Sequence, residues 1–154
     1  MPTLEQLIKQ PRFRSEQHKA AIGILYANNL INNHYEQIFK KFDLTLQQFN
    51  ALRILRGQYP KPCTINLIRE RMLDKMSDAS RIIERVRKVG LAERVISQKD
   101  RRAVDVIITQ KGLDLLAQID KLDNEMDLPT SKFSNSEAQQ FNLLLEKVYG
   151  SITG

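Results

Sequence analysis

A chain of 154 residues, 42% hydrophobic and 27% charged, can bury the core of one domain, and it has no run of about 18 uninterrupted apolar residues to span a membrane. A formal charge of +6 and a pI near 9.5 favour polyanionic partners, while the single cysteine, Cys63, excludes an internal disulfide and fits a reducing compartment. The charge is unevenly spread: residues 1–77 carry a net +6, residues 78–111 a net +4 and residues 112–154 a net minus 4. The C-terminal part is therefore not expected on a phosphate backbone, and a supporting role such as dimerisation suits it better. The N-terminus, MPTLEQLIKQPRFRSEQHK, lacks the apolar stretch of a secretory signal, so the protein is expected to be cytoplasmic.

Pro2 and Pro11 punctuate the first 13 residues, which read as a short turn or helix and an extended lead-in. From about Ser15 to Phe42, the residues Ala20, Ile24, Ala27, Ile31, Tyr35, Ile38 and Phe42 mark one long amphipathic helix. It is longer than a small domain needs, which suggests a second packing duty. Thr45-Leu46-Gln47-Gln48 is a capping box that opens a helix with Phe49, Leu52 and Leu55 facing inward, and Gly57 is read as its stop. Tyr59-Pro60-Lys61-Pro62 reads as a turn, and Thr64 as the cap of a helix from Ile65 to about Met72.

Ser77 reads as the N-cap of the next helix, in which Ile82, Ile83, Val86 and Val89 form a buried stripe opposed by Ser77, Arg81, Arg85 and Lys88. Gly90 fits the left-handed position that ends this helix and lets Leu91 fold back on Val86. Two β-branched runs, Val95 to Ser97 and Val104 to Ile108, predict a hairpin whose charged tip carries Lys99, Asp100, Arg101 and Arg102. Thr109 is read as the cap of a helix with Leu113, Leu116, Ile119, Leu122 and Met126 in one stripe, followed by a break at Asp127 to Lys132 that contains Pro129. A second capping box, Ser134-Asn135-Ser136-Glu137, opens a final helix with Ala138, Phe141, Leu144, Leu145 and Val148 on one face, closed by Gly150.

A helix with one basic face, followed at once by a hairpin with two arginines at its tip, presents two separate positive probes. Duplex DNA offers two grooves that match them, a wide one for the helix and a narrow one for an extended arginine. The residues from Arg81 to Gly112 resemble the MarR-type winged helix-turn-helix transcription regulators. The wing signature of that family, Asp-x-Arg, three residues, then Val-x-Leu-Thr-x-x-Gly, stands here as Asp100, Arg102, Val106, Ile108, Thr109 and Gly112, with isoleucine in the leucine place. Before it, Arg81 to Arg94 (RIIERVRKVGLAER) looks like the recognition helix and the Gly-Leu-x-x-Arg run into the wing, here Gly90, Leu91 and Arg94.

The resemblance implies a mainly α fold with a small β-hairpin wing, laid out as one unit over residues 1–154. Residues from about 45 to 110 would form the winged helix DNA-binding part, and residues 15–42 and 110–150 the helical dimerisation part. It implies a homodimeric regulator, a repressor on a pseudo-palindromic operator, with Ser77, Asp78, Ser80, Arg81, Arg85, Lys99, Asp100, Arg101 and Arg102 at the DNA. Asp78 departs from the small hydroxyl residues common there, and either favours the helix N-terminus or accepts from a cytosine amino group. Effectors of the family are often small aromatic acids, for which Tyr26, Tyr35, Phe39 and Phe49 would be lining, and which are equally ordinary core residues. Some relatives sense peroxides through a cysteine near the start of the first long helix. This chain has none there, and Cys63 falls in a loop, where a structural role is expected.

The competing class is a winged-helix module for protein contacts, against which the basic face and the doubly basic wing argue. His18 and His34 have no ligand-spaced neighbours, so no metal is expected, and no nucleophile-elbow, phosphate-loop or zinc-protease motif supports an enzyme or a cofactor. The expected partners are double-stranded DNA and a second copy of the chain.

Overall fold

The computed structural model describes residues 1–96 and 104–153. They form two compact units, Met1–Leu116 and Ala117–Gly154. The first holds α1 (Leu4–Leu7), α2 (Glu16–Lys40), α3 (Leu46–Gln58), α4 (Ile65–Arg71), α5 (Ala79–Lys88), the antiparallel strands β1 (Ala92–Ile96) and β2 (Val104–Ile108), and the start of α6 (Gln110–Asp120). The second holds the end of α6, the short α7 (Asp123–Met126), a 3-10 turn at Leu128–Thr130 and α8 (Asn135–Thr153). The mainly helical class with one small hairpin is the one the sequence predicts.

In the first unit α3 is the central helix, because its 13 residues bury Phe49, Ala51, Leu52, Ile54 and Leu55 against α2, α4, α5 and β2. The capping box forms as read: the Gln48 amide N–H donates to Thr45 Oγ1 at 3.1 Å and the Thr45 N–H to Gln48 Oε1 at 2.8 Å. Gly57 does not stop the helix. Its last residue is Gln58, and Tyr59 turns to an extended ψ of 136° because the ring of Pro60 clashes with a helical residue before it. The long α2 buries only Ile38 and Phe39, with the Phe39 ring stacked on Phe49 at 4.2 Å, while Ala20, Ile24 and Ala27 of its stripe stay exposed. Glu5 and Lys19 pair at 2.7 Å and tie α1 to the start of α2.

The cap of α5 differs from the sequence reading. Asp78 is the N-cap, its Oδ1 accepting the Arg81 N–H at 3.0 Å, and Ser77 lies outside the helix with its hydroxyl donating to Asp74 Oδ2 at 3.0 Å. Both residues can cap, and Asp74 decides between them by engaging the serine first. Val89 is 56% exposed, because the helix ends at Lys88 and Val89 leaves its phase. Gly90 has φ +78° and completes a Schellman stop: its N–H reaches Arg87 O and the Leu91 N–H reaches Val86 O, each at 2.9 Å.

The strands pair from Ala92 opposite Ile108 to Ile96 opposite Val104, so β1 begins three residues before the expected Val95. The cause is the cap itself, which delivers Leu91 into the core and Ala92 straight onto Ile108. Val106 and Ile108 are buried and Val104 is 49% exposed, so the alternate residues of β2 face the core only near the root. Cys63 is not in a free loop. It exchanges two backbone hydrogen bonds with Val106, at 2.9 and 2.8 Å, and adds one antiparallel bridge on the far side of β2.

Thr109 caps α6 by accepting the Gly112 N–H at 3.2 Å and also donates to Gly90 O at 2.7 Å. The single helix expected as far as Met126 breaks after Asp120 and resumes as α7. In the second unit the Ser134–Glu137 box forms at 2.8 and 3.3 Å, and its hydrogen bonds hold the Glu137 carboxyl below the usual range. Helix α8 runs through Gly150 to Thr153, since nothing near that glycine demands a turn. It has no buried residue, and Phe141, Leu143, Leu144, Tyr149 and Ile152 are 40–78% exposed.

Candidate nucleic-acid interface

Helix α5 is a two-faced element. Ala79, Ile82, Ile83 and Val86 are buried, Val86 completely, against α3, α4 and β1. Ser80, Arg81, Arg85, Arg87 and Lys88 lie on the exposed side. A helix locked by four apolar contacts along one stripe cannot roll, so its basic side chains start from a fixed line. Arg81 and Arg85 are one turn apart, about 5.4 Å along the axis. Among the described residues neither guanidinium has a carboxylate partner.

The two arginines nearer the hairpin are held differently, in an arrangement the sequence reading missed. Glu84 accepts from Arg87 Nε at 3.0 Å and from its terminal nitrogen at 2.8 Å, and also from Arg94 of β1 at 3.1 Å. The forked hydrogen bond of Arg87 is the first cause that holds the Glu84 carboxyl below the ordinary carboxylate range. One carboxylate thus joins α5 to β1. The i, i+3 spacing of Glu84 and Arg87 was visible in sequence, whereas the reach to Arg94 depends on the tight Gly90 stop. Lys111 adds a second clasp, its ammonium donating to Val89 O at 2.8 Å at the negative end of α5.

Of the residues expected at DNA, Asp78 faces its own helix as a cap, Ser77 is half-buried in the preceding turn, and Ser80, Arg81 and Arg85 are exposed on α5. Lys99, Asp100, Arg101 and Arg102 lie outside the described residues. Of the aromatic residues, Phe39 is fully buried and Phe49 nearly so, each filling the other's space, while Tyr26 and Tyr35 are half-buried on α2. Cys63 is 4% exposed, and burial pushes its thiol up, with the Asp105 carboxylate adding to the shift. Among the described residues no cluster of His, Cys, Asp or Glu is placed to hold a metal ion, and no helix is long and apolar enough to cross a membrane.

The order of three helices, hairpin and flanking long helices recurs in solved structures. A MarR transcription factor from Planctomyces limnophilus superposes with a TM-score of 0.65 at 27% identity, over 88% of this chain and 98% of that one. In sequence, the HTH-type transcriptional regulator MgrA of Staphylococcus aureus is 28% identical over 139 residues, 87% of this chain and 92% of its own length. In sequence and in fold the chain is similar to MarR-type regulators. No family model matches it, but the fold and relatives of this kind agree with the wing signature that runs from Asp100 to Gly112. These likenesses support a MarR-type DNA-binding transcription regulator. Escherichia coli MarR in complex with operator DNA shares the fold, with a TM-score of 0.74 at 21% identity over 86% of this chain and 95% of that one.

Proposed function

We propose that the chain is a homodimeric repressor that lays α5 in the major groove of each half of a pseudo-palindromic operator and sends the wing into the flanking minor groove. The observation that carries the reading is the free pair Arg81 and Arg85 on a helix that is immobilised by its other face. Arg81, nearer the N-terminus of the helix, reads a base edge, and Arg85 and Lys88 meet phosphates. At the wing, Arg102 enters the minor groove, Asp100 holds its guanidinium extended, and Lys99 and Arg101 meet phosphates.

A second copy is the proposed cover for the apolar side chains that α8 and the first two-thirds of α2 leave exposed, among them Ile24, Leu25 and Leu30. The half-sites are then about 10 base pairs apart, one turn of the duplex. Tyr26 and Tyr35 are the aromatic groups still open enough to meet a small aromatic effector, because Phe39 and Phe49 are committed to the core.

Binding to random duplex DNA at two salt concentrations tests the first part. Neutralisation of several phosphates makes affinity fall steeply with salt, and a flat response contradicts it. Light scattering at micromolar concentration tests the second: a dimeric mass is expected, and a monomer overturns it.

A further inference from the structure

The turn between α4 and α5, Met72 to Ser77, is fastened by several hydrogen bonds. Asn50 of α3 accepts the Leu73 N–H at 2.9 Å, and Asp74 accepts the Met76 N–H at 2.9 Å and the Ser77 hydroxyl at 3.0 Å. The Ser77 N–H returns to Asp74 O at 3.2 Å, and the Lys75 ammonium is turned back onto the Glu70 carbonyl. Leu73 borders a shallow recess with Leu46, Gln47, Asn50 and Met72. Leu73 is 80% exposed, and Met76, which does not line that recess, is 92% exposed, two residues before the cap of α5.

A rigid turn that holds a large apolar side chain in water, at the leading end of a recognition helix, wastes that side chain unless something covers it in the working complex. Met76 stands two residues before the cap of α5, whose exposed side carries Ser80, Arg81 and Arg85, and the N-terminal residues of such a helix contact base edges in the major groove. The apolar feature on the floor of that groove is the thymine C5-methyl group. We infer that Met76 is a specificity-determining residue that covers a thymine methyl in each half-site. The inference rests on α5 being the recognition helix. Both carboxylate oxygens of Asp74 are engaged within the turn, so the acid beside Met76 is already paired when the helix meets the phosphates. The flexible thioether then fits against a methyl group without a fixed rotamer.

Deoxyuridine tests the inference, since it removes the methyl and leaves base pairing and phosphate charge as they were. A duplex is first selected from a random-sequence pool with the wild-type protein, and each thymine is then replaced in turn. At one thymine per half-site the wild type is expected to lose about fourfold in affinity, the value of one buried methyl. Met76→Ala should bind the thymine duplex about fourfold per half-site more weakly and be indifferent to uracil there, and Met76→Leu should keep the uracil sensitivity. If every uracil effect is the same in wild type and Met76→Ala, the inference is wrong although the recognition-helix reading stands. If the pool yields no enriched duplex, that reading itself has failed. If Met76→Ala changes the particle mass in solution instead, the side chain covers a second copy and the inference is overturned.

Discussion

Replacing Gly112 by alanine should destabilise the protein in a way that a survey of helix propensities would get backwards. Gly112 sits in the first turn of α6 and is buried, and alanine is the better helix former by about 1 kcal/mol. A methyl group there would overlap the Leu91 carbonyl oxygen and come within 2.7 Å of Ile108 Cγ1. Neither neighbour can yield cheaply. The Leu91 oxygen accepts the Thr109 N–H at 3.1 Å, Leu91 closes the Schellman stop of α5, and Ile108 is 2% exposed in the hairpin root.

Overpacking of this kind costs about 1–3 kcal/mol, and displacement of one buried backbone hydrogen bond adds about 1 kcal/mol. Less the roughly 1 kcal/mol of helix propensity that alanine returns, the net cost of about 1–3 kcal/mol corresponds to a melting temperature lower by roughly 3–12 °C for a chain of this size. Gly57 is the matched control. It is exposed in the last turn of α3 with nothing within 4 Å of its added methyl, so Gly57→Ala should raise the melting temperature by about 1–4 °C. Thermal unfolding followed by circular dichroism at one protein concentration reads both. A Gly112→Ala variant that melts within about 2 °C of wild type would refute the reasoning.

The remaining predictions concern single side chains. Asp78→Ala should cost about 0.5–2 kcal/mol through the lost cap, while Asp78→Ser should recover most of it; urea unfolding measures both, and equal losses would mean the carboxylate does more than cap. Asp100→Ala should weaken operator binding even though it removes a negative charge from the wing, and Arg102→Lys should retain only part of what Arg102→Ala loses; tighter binding by Asp100→Ala contradicts the aiming role. Because burial holds the Cys63 thiol protonated in the native state, the wild type should lose stability relative to Cys63→Ala as pH rises above about 9, where the unfolded thiol ionises and the folded one does not. Parallel urea titrations from pH 7 upward would show no divergence if that account is wrong.

The helices were legible because periodicity and capping boxes are local: Thr45 with Gln48, Thr64, and Ser134 with Glu137 each act within one turn. The misreadings arose wherever two local signals competed or a distant partner decided. Ser77 and Asp78 both make good caps, and only the placement of Asp74 gives the role to the second. Gly57 and Gly150 looked like stops but are ordinary helical residues, since glycine ends a helix only where a positive φ is needed, as at Gly90. The backbone exchange of Cys63 with Val106 spans more than 40 residues and leaves no periodic trace. In the candidate site, the basic face of α5 was readable from residue spacing, whereas the sharing of Glu84 between Arg87 and Arg94 exists only once the hairpin is folded back.

With β1 on one edge and Cys63 on the other, Val106 belongs to a three-stranded patch at the base of the hairpin. Among the described residues that base is held by β1, β2 and Cys63. A base held by its own ladder and bridge is a fixed root for whatever length of chain joins the two strands. A lineage, or a designer, could change the sequence between the strands while the stop of α5 and the cap of α6 stay as they are. The residues that join the strands and the residues that root them would be free to change at separate rates.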